Sequence, residues 1–398
     1  MNLDKIFNHF TETSIFNSKK VLQVSYTPEV VSHREEQISQ IASIMAPSLR
    51  LEKPSNLFLY GKTGTGKTLS VKYVGQQLNN KAKEKNTNVN LIYINCKLKK
   101  VADTEYRILY ELIRTLGKEV PATGLPTEQL YKIFLDIVDK EEQVLIIILD
   151  EIDQAVKKIG DEFLYNFTRI DHLKKSQISL VGISNDLVFI ETLDPRVRSS
   201  LGEEEIVFPP YDAIQLKDIL EARSKVAFKD GIVAEGVIEK CAAYAAGEHG
   251  DARRALDLLR VAGELVERDC KSKITLEYID KAEEKIEKEK ILDITINQPK
   301  QFQLTLLSII EKSKETNKVF YTGDIYEGYE KLCNNLRFKP LTQRRVGDII
   351  SEFDMLGLIN ARVISSGRYG RKREIRVTIP KNLVGKVEEA LLKSLNLK

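Results

Sequence analysis

The stretch "NLFLYGKTGTGKTLS" (residues 56–70) decides the reading of this chain. An apolar run at 56–61 leads into a loop in which Gly61, Gly66, Lys67 and Thr68 fit G-x-x-x-x-G-K-[ST] at every required position. A helix is expected to follow at about 66–80. The context gives the motif its meaning: a strand before it and a helix after it. Glycines let backbone N–H groups wrap phosphates, and the helix N-terminus adds positive dipole. Lys67 is expected to neutralise β- and γ-phosphates, and the Thr68 hydroxyl to ligate Mg²⁺.

A partner element lies downstream. "LIIILDEID" (145–153) runs apolar residues into Asp150 and Glu151 at what reads as a strand end, where open α/β sheets place their ligands. Asp150 is expected to hold Mg²⁺ and its waters. Glu151 is expected to accept a proton from an attacking water, or to polarise it. Asn185, ending "LVGISN" (180–185), is placed to bond a γ-phosphate or orient the water, although Asn is also an ordinary turn former. "DPRVRSS" (194–200) offers Arg196 and Arg198, each of which fits either an arginine finger acting on a neighbour's nucleotide or a surface ion pair. "GDARRAL" (250–256) puts Arg253 and Arg254 at a helix start. Cations are disfavoured there, so a nearby anion such as a nucleotide phosphate would account for them.

The chain has 398 residues, enough for two or three domains with their own cores. With 42% apolar and 30% charged residues it reads as a soluble globular protein. No apolar run approaches the roughly 20 residues of a membrane span. The N-terminal "MNLDKIFNHF" lacks the apolar stretch of a secretory signal, so a cytoplasmic protein with no membrane partner is expected. Cys96, Cys241, Cys270 and Cys333 have neither zinc nor disulfide spacing and are expected to be buried free thiols.

Short β-branched runs at 90–95, 143–151 and 177–184 alternate with helical patterns at about 103–116 and 127–140, as in an α/β sandwich with a parallel sheet. "NNKAKEKNTN" (79–88) reads as a surface loop. From about 212 the spacing turns to i, i+3, i+4, indicating a small helical domain to about 270 and then a charged connector helix at 275–290. Helices at about 301–314, 323–336 and 341–357 follow, and then two alternating strands around "SSGRYGRKR" (365–373). Thr342 suits an N-cap and Gly357 a C′ position. Three helices and a hairpin are the order of a winged-helix DNA-binding domain. Residues 301–398 sum to a formal +7 against −4 for the rest, which puts the anion-binding character in that last quarter.

The motif order, a phosphate loop, "LDEID", "GISN", "PRVRSSL" and "GDARRALDLL", resembles that of AAA+ ATPases. With "YTGDIYEGYEKLC", "PLTQRRVGDIISEFDMLGLI" and "GRYGRKREI" behind it, the chain looks like the archaeal origin-recognition initiators from about residue 20 to 380. Those are homologues of the largest origin recognition complex subunit and of its cell-division-control partner. The resemblance implies an α/β AAA+ P-loop core with a parallel sheet (1–209), a small α-helical lid (210–292) and a C-terminal winged helix (293–398). It makes Lys67 and Thr68 the Walker A pair, with Gly61, Thr63, Gly64, Thr65, Gly66 and Leu69 around them. Asp150 and Glu151 become the Walker B pair and Asn185 sensor 1. Arg253 matches sensor 2 better than Arg254. Arg196 is the first choice for the finger, with Arg198 kept open.

"YTPEVVSHREEQI" (26–38) looks like the segment that packs against adenine, bringing Val30 and Val31, with Tyr211 and Arg223 completing the expected ATP/ADP set. This chain has "VVSHR" where the family commonly has "LPHR". "CKLKKVADTEYRILYELI" (96–113) falls where the family inserts a helix that touches DNA, and Lys97, Lys99 and Lys100 suit phosphate contacts. Thr342, Gln343, Arg344 and Arg345 are expected at the major groove. Arg368, Tyr369, Arg371, Lys372 and Arg373 of the wing are expected along an adjacent groove or backbone. The implied function is ATP-dependent initiation on double-stranded origin DNA. ATP binding and slow hydrolysis would be a switch, with paralogous initiators and the replicative helicase as partners. A transcriptional regulator of the same architecture and a clamp-loader-like ATPase are the competing readings. The first differs in where it binds, the second in rapid, DNA-stimulated turnover.

Overall fold

The computed structural model describes residues 14–24, 26–97, 102–170, 173–315, 320–365 and 371–397. The chain divides into two compact units, Met1–Ile279 and Asp280–Lys398.

The first unit opens with α1 (Glu35–Met45), β1 (Leu57–Tyr60), α2 (Lys67–Glu84), β2 (Val89–Asn95), α3 (Glu105–Thr115) and α4 (Thr127–Val138). β3 (Gln143–Asp150), α5 (Ile152–Ile159), α6 (Glu162–Thr168), β4 (Ser176–Ser184), α7 (Pro195–Leu201) and β5 (Glu204–Val207) follow. All five strands are parallel, in the order β2-β3-β4-β1-β5. Leu145, Ile147 and Leu149 of β3 enter one core with Phe134 and Phe167. Val144, Ile146 and Ile148 enter the other with Ile41, Met45 and Val74. Helices cover both faces, so a central strand has no solvated side and stays apolar until its end. Truncating Ile147 to Ala would cost about 2–5 kcal/mol. The strand order matters for the site: β4 lies between β3 and β1. The ends of three adjacent strands therefore carry Asp150, Ser184 with Asn185, and the glycine loop.

Three helices complete this unit as a lid: α8 (Ala213–Ala227), α9 (Val237–Gly247) and α10 (Ala252–Arg268). Asp212 and Gln215 form a capping box that starts α8. Residues 14–24 lie against the lid. Asn17 N donates to Ala227 O at 2.8 Å, and the Phe16 and Phe228 rings are 4.7 Å apart. α11 (Leu276–Ile296) comes next.

The second unit contains α12 (Lys300–Glu315), β6 (Phe320–Tyr321), α13 (Thr322–Asn335), α14 (Gln343–Met355), β7 (Ile359–Ser365), β8 (Arg371–Val377) and α15 (Lys381–Ser394). Its strands form an antiparallel sheet, β6-β8-β7. Leu307, Ile325, Val346, Ile350, Phe353 and Ile375 meet in one core. Helix, helix, helix and hairpin appear in the expected order. Thr342 Oγ1 accepts from Arg345 N at the start of α14, and Gly357 takes φ +72° just past its end.

Several expectations need correcting. α2 continues to Glu84, into the expected loop, because Ala82 is buried and Lys81 pairs with Glu84 at 2.6 Å. β5 and β6 are too short, and β5 too polar, to show an apolar period. α15 was not expected, although Leu383, Val387 and Leu391 at i, i+4, i+8 signal it and pack into the core. Cys96, Cys241 and Cys333 are buried, but Cys270 is exposed, in the left-handed turn after α10. Among the described residues no helix is long and apolar enough to cross a membrane.

Candidate functional site

The glycine loop leaves β1 and enters α2. Gly66 is the N-cap of α2 at φ +93°, and a Cβ there would lie 2.7 Å from Tyr211 Oη. Gly64, at φ +70°, would place a Cβ 1.7 Å from Asp251 Oδ1 of the lid. Both positions therefore need glycine for backbone and for space. The buried Lys67 folds back on the loop, its Nζ donating to Gly61 O and Lys62 O, both at 2.7 Å. Burial, with the nearby Arg253, lowers its pKa to about 8 against the opposing pull of Asp150, Asp251 and Glu151.

At the end of β3, Asp150 is buried and multiply bonded. Its Oδ2 accepts from Thr68 Oγ1 at 2.8 Å and from Tyr93 Oη at 2.5 Å, and its Oδ1 from Glu151 N at 3.0 Å. Burial, followed by the hydrogen bond to Asp150, pushes the Tyr93 phenol above its usual range. Thr68 Oγ1 and the Asp150 carboxylate are adjacent hard oxygen donors, the kind Mg²⁺ takes, so this donor set fits the ion. Glu151 adopts a left-handed backbone, φ +55°, as N-cap of α5. That conformation is costly for a non-glycine residue and concentrates at functional sites. Asn185 follows β4, and it lines the same cleft as Lys67, Thr68, Asp150 and Glu151.

This cleft measures about 780 Å³ between the sheet ends, the lid and segment 21–32. Val30, 71% exposed, and the buried Val31 both line it, as do Leu69, Tyr211, Arg223 and Arg253. Arg223 Nη1 donates to Val21 O at 3.1 Å and its guanidinium lies 4.6 Å from the Tyr26 ring centroid, so it also braces the crossing segment. Of the two lid arginines, Arg253 faces the cleft. Arg254 instead bonds Glu248 at 3.0 Å.

Arg34 was missed by the motif reading. It is 2% exposed and forks to three carbonyls: Thr65 O at 2.8 Å, Pro209 O at 2.6 Å and His33 O at 3.0 Å. Its guanidinium also stacks 3.8 Å from the Tyr211 ring centroid. It thereby joins the crossing segment, the glycine loop and the hinge into the lid. Tyr93 and Asn95, also missed, could have been suspected as polar residues near the end of an apolar strand.

Other expected residues lie elsewhere. Thr63 is exposed and is not part of the cleft lining. Arg196 is outside the cleft as well, held by Asp194 at 3.1 Å and 5.3 Å from the Tyr165 ring centroid. Arg198, two residues on, has no side-chain partner among the described residues. Lys97 was expected to face DNA, but its Nζ lies 3.5 Å from Glu151 Oε2. The cause is the turn after β2, where Asn95 Oδ1 accepts from Lys97 N at 2.9 Å and folds the chain over the strand ends. Lys99 and Lys100 lie outside the described residues.

In the second unit, Thr342, Gln343, Arg344 and Arg345 are all exposed at the start of α14. Arg345 Nη1 approaches Asp348 at 3.5 Å, while Arg344 makes no side-chain bond among the described residues. The tip residues Arg368 and Tyr369 lie outside the described residues, and Arg371 is described by its backbone, paired with Ser365. Lys372 is exposed, 5.5 Å from the Tyr321 ring centroid. Arg373 departs from expectation. Strand alternation puts it on the face of Ile375, toward α14, where Nη1 donates to Gly347 O at 2.9 Å and Ser351 Oγ at 2.8 Å.

Three family models match the chain: an AAA domain over residues 50–188, a Cdc6 AAA+ ATPase-type lid domain over 217–284, and a CDC6 C-terminal winged helix domain over 293–387. The ORC1-type DNA replication protein 1 of Methanosarcina mazei is 48% identical over 402 aligned residues, covering 100% of this chain and 95% of the relative. The ORC1-type DNA replication protein of Pyrococcus abyssi is 50% identical, covering 95% and 91%. Among solved structures, the Aeropyrum pernix ORC1 protein in complex with DNA superposes with a TM-score of 0.86 at 43% identity, covering 96% of this chain and 98% of that one. Identity of this order along whole chains, on top of the same cleft and the same helix-and-hairpin unit, makes this chain a member of the ORC1/Cdc6-type family of AAA+ DNA replication proteins.

Proposed function

We propose that this protein is an ATP-dependent replication initiator that binds origin DNA through its winged helix and its ATPase unit. ATP binding and slow hydrolysis would act as a switch for recruiting the replicative helicase, alone or with paralogous initiators. One observation carries the reading: a nucleotide cleft and a basic helix-and-wing unit share one chain that ORC1-type DNA replication proteins match nearly end to end. The functional division would be 1–209, 210–292 and 293–398, and the site of action the nucleoid in the cytoplasm.

In this reading Gly61 to Leu69 cradle the phosphates and Lys67 neutralises them. Thr68 and Asp150 hold Mg²⁺, which supplies charge stabilisation for phosphoryl transfer. Glu151 takes the proton of the attacking water, and Asn185 fixes that water or the γ-phosphate. Arg253 reports the γ-phosphate to the lid, and Arg196 acts on a neighbour's nucleotide. Val30 and Val31 cover the base. Gln343 and Arg344 read base edges bidentately, while Arg345, Lys372 and the wing tip neutralise phosphate. ATP held between base and lid would set their angle, and with it the simultaneous use of both DNA contacts.

The test is footprinting of the purified protein on duplexes spanning a replication start region, with ATP and with ADP. Protection of a discrete sequence that changes extent between the two nucleotides is expected. Equal binding to any duplex, whatever the nucleotide, would contradict the reading.

A further inference from the structure

A second carboxylate stands two residues beyond Glu151. Asp153, in the first turn of α5, is only 4% exposed, and none of the expected chemistry uses it. Burying a carboxylate costs several kcal/mol unless it is fully bonded. Here both oxygens are engaged. Oδ1 accepts from Ser184 Oγ at 3.0 Å, and Oδ2 from Gln154 Nε2 at 2.7 Å, with Lys157 Nζ at 3.6 Å.

Ser184 is itself fully buried, at 0% exposure, and is the last residue of β4. Its hydroxyl also accepts from Asp186 N at 3.0 Å, which fixes the turn that contains Asn185. Packing alone would favour an apolar residue here, as at the neighbouring Val181 and Ile183. A buried polar pair where α5 meets the end of β4 calls for another explanation. It bridges the segment that carries Glu151 to the residue directly before Asn185. Backbone pairing sets Asp150 beside Ile183 and, on the other side of β4, Ser184 beside Tyr60 of β1, but neither ladder reaches Asn185. The Asp153–Ser184 bond begins where the ladder with β3 stops.

We infer that Asp153 is a positioning residue: through Ser184 it fixes Asn185 relative to Glu151, and so sets the geometry of hydrolysis without contributing to nucleotide affinity. The inference rests on the reading of Glu151 and Asn185 given above. A misplacement of about 1 Å in a catalytic constellation costs on the order of 100-fold in rate.

The experiment measures single-turnover ATP hydrolysis, ADP affinity and melting temperature in the full chain for Ser184→Ala, Asp153→Ala, Asp153→Asn and the Asp153→Ala/Ser184→Ala double variant. Ser184→Ala and Asp153→Ala are expected to slow hydrolysis about 10- to 100-fold with ADP affinity at the parental value. Asp153→Asn, which keeps an acceptor oxygen for Ser184, should recover most of the rate. The double variant should be no slower than Asp153→Ala, since both changes remove one link. Ser184→Ala is nearly isosteric and carries the test should Asp153→Ala not fold. Parental hydrolysis by folded Ser184→Ala, or penalties that add in the double variant, would overturn the inference. Glu151→Gln separates the two layers. If it is inactive while Ser184→Ala is fully active, the bridge alone is wrong; if Glu151→Gln hydrolyses normally, the reading beneath the bridge is wrong.

Discussion

Replacing Arg373 with Ala would remove the hydrogen bonds to Gly347 O and Ser351 Oγ that tie β8 to α14. Ser351 Oγ also donates to Gly347 O at 3.0 Å, so the guanidinium closes a small ring on the helix. Bonds to a charged group contribute about 1.5–3 kcal/mol each. Arg373 is only half-buried, and Ser351 keeps its bond to Gly347 after the change. A net loss of about 2 kcal/mol is therefore expected, the lower part of that range. In the intact chain this should appear as amide exchange across α14 about 30-fold faster. DNA binding provides the second readout. A brace contributes no phosphate contact, so the slope of log affinity against log salt should stay at the parental value. Loss of one phosphate contact would flatten it by about 0.9. Lys372→Ala is the contrast: Lys372 is exposed and the adjacent strand position points the other way, so this change should flatten the slope and leave exchange in α14 alone. Fluorescence anisotropy of a labelled duplex across a salt series measures both slopes. Arg373→Ala with parental exchange and a slope shallower by about 0.9 would refute the brace.

Lys67 predicts a pH dependence of nucleotide binding. Its pKa of about 8 in the free protein must rise when phosphate oxygens surround it, so binding takes up a proton above that pH. ADP affinity should be flat below about pH 8 and fall by up to about tenfold per pH unit above it; a flat calorimetric titration from pH 7 to 9.5 would contradict this. Arg34→Ala removes a buried guanidinium and leaves the carbonyls of Thr65, Pro209 and His33 without that donor, and should cost about 3 kcal/mol and weaken ADP binding in parallel, as read by melting with and without ADP. Arg34→Lys should recover little, because an ammonium cannot reproduce the planar fork. Arg344→Ala should reduce the preference for the specific duplex by about 1–3 kcal/mol; an unchanged ratio of specific to random binding would place Arg344 on phosphate instead.

Much of the site was legible because its chemistry is local. Gly61 to Thr68 form one continuous turn, and Asp150 ends an apolar run that only a strand buried on both faces explains. Tertiary partners were not legible in the same way. Arg34 reads as the first cation of a helix N-terminus, and nothing near it in sequence announces Thr65 O or Pro209 O. Ser184 and Asp153 are 31 positions apart and meet only because β4 lies beside β3. Arg373 shows the limit of counting charge: four of the nine residues in "SSGRYGRKR" are cationic, but strand alternation turns this one inward. The pairing of the largely exposed Lys97 with Glu151 was not legible for a similar reason, since it depends on the turn at Asn95. The lid-bound segment 14–24 has too short a helical turn to show a period, and its contacts with the lid, from Phe16 on Phe228 to Lys19 on Glu264, are all long-range.

The central claim is that this chain marks replication origins under ATP control. Mapping its occupancy across the genome in dividing cells, in parallel with mapped replication start sites, tests that claim most directly. Occupancy should concentrate at start sites and be redistributed or lost in a Lys67→Ala variant. Occupancy concentrated at promoters away from start sites, or unaffected by Lys67→Ala, would contradict the account.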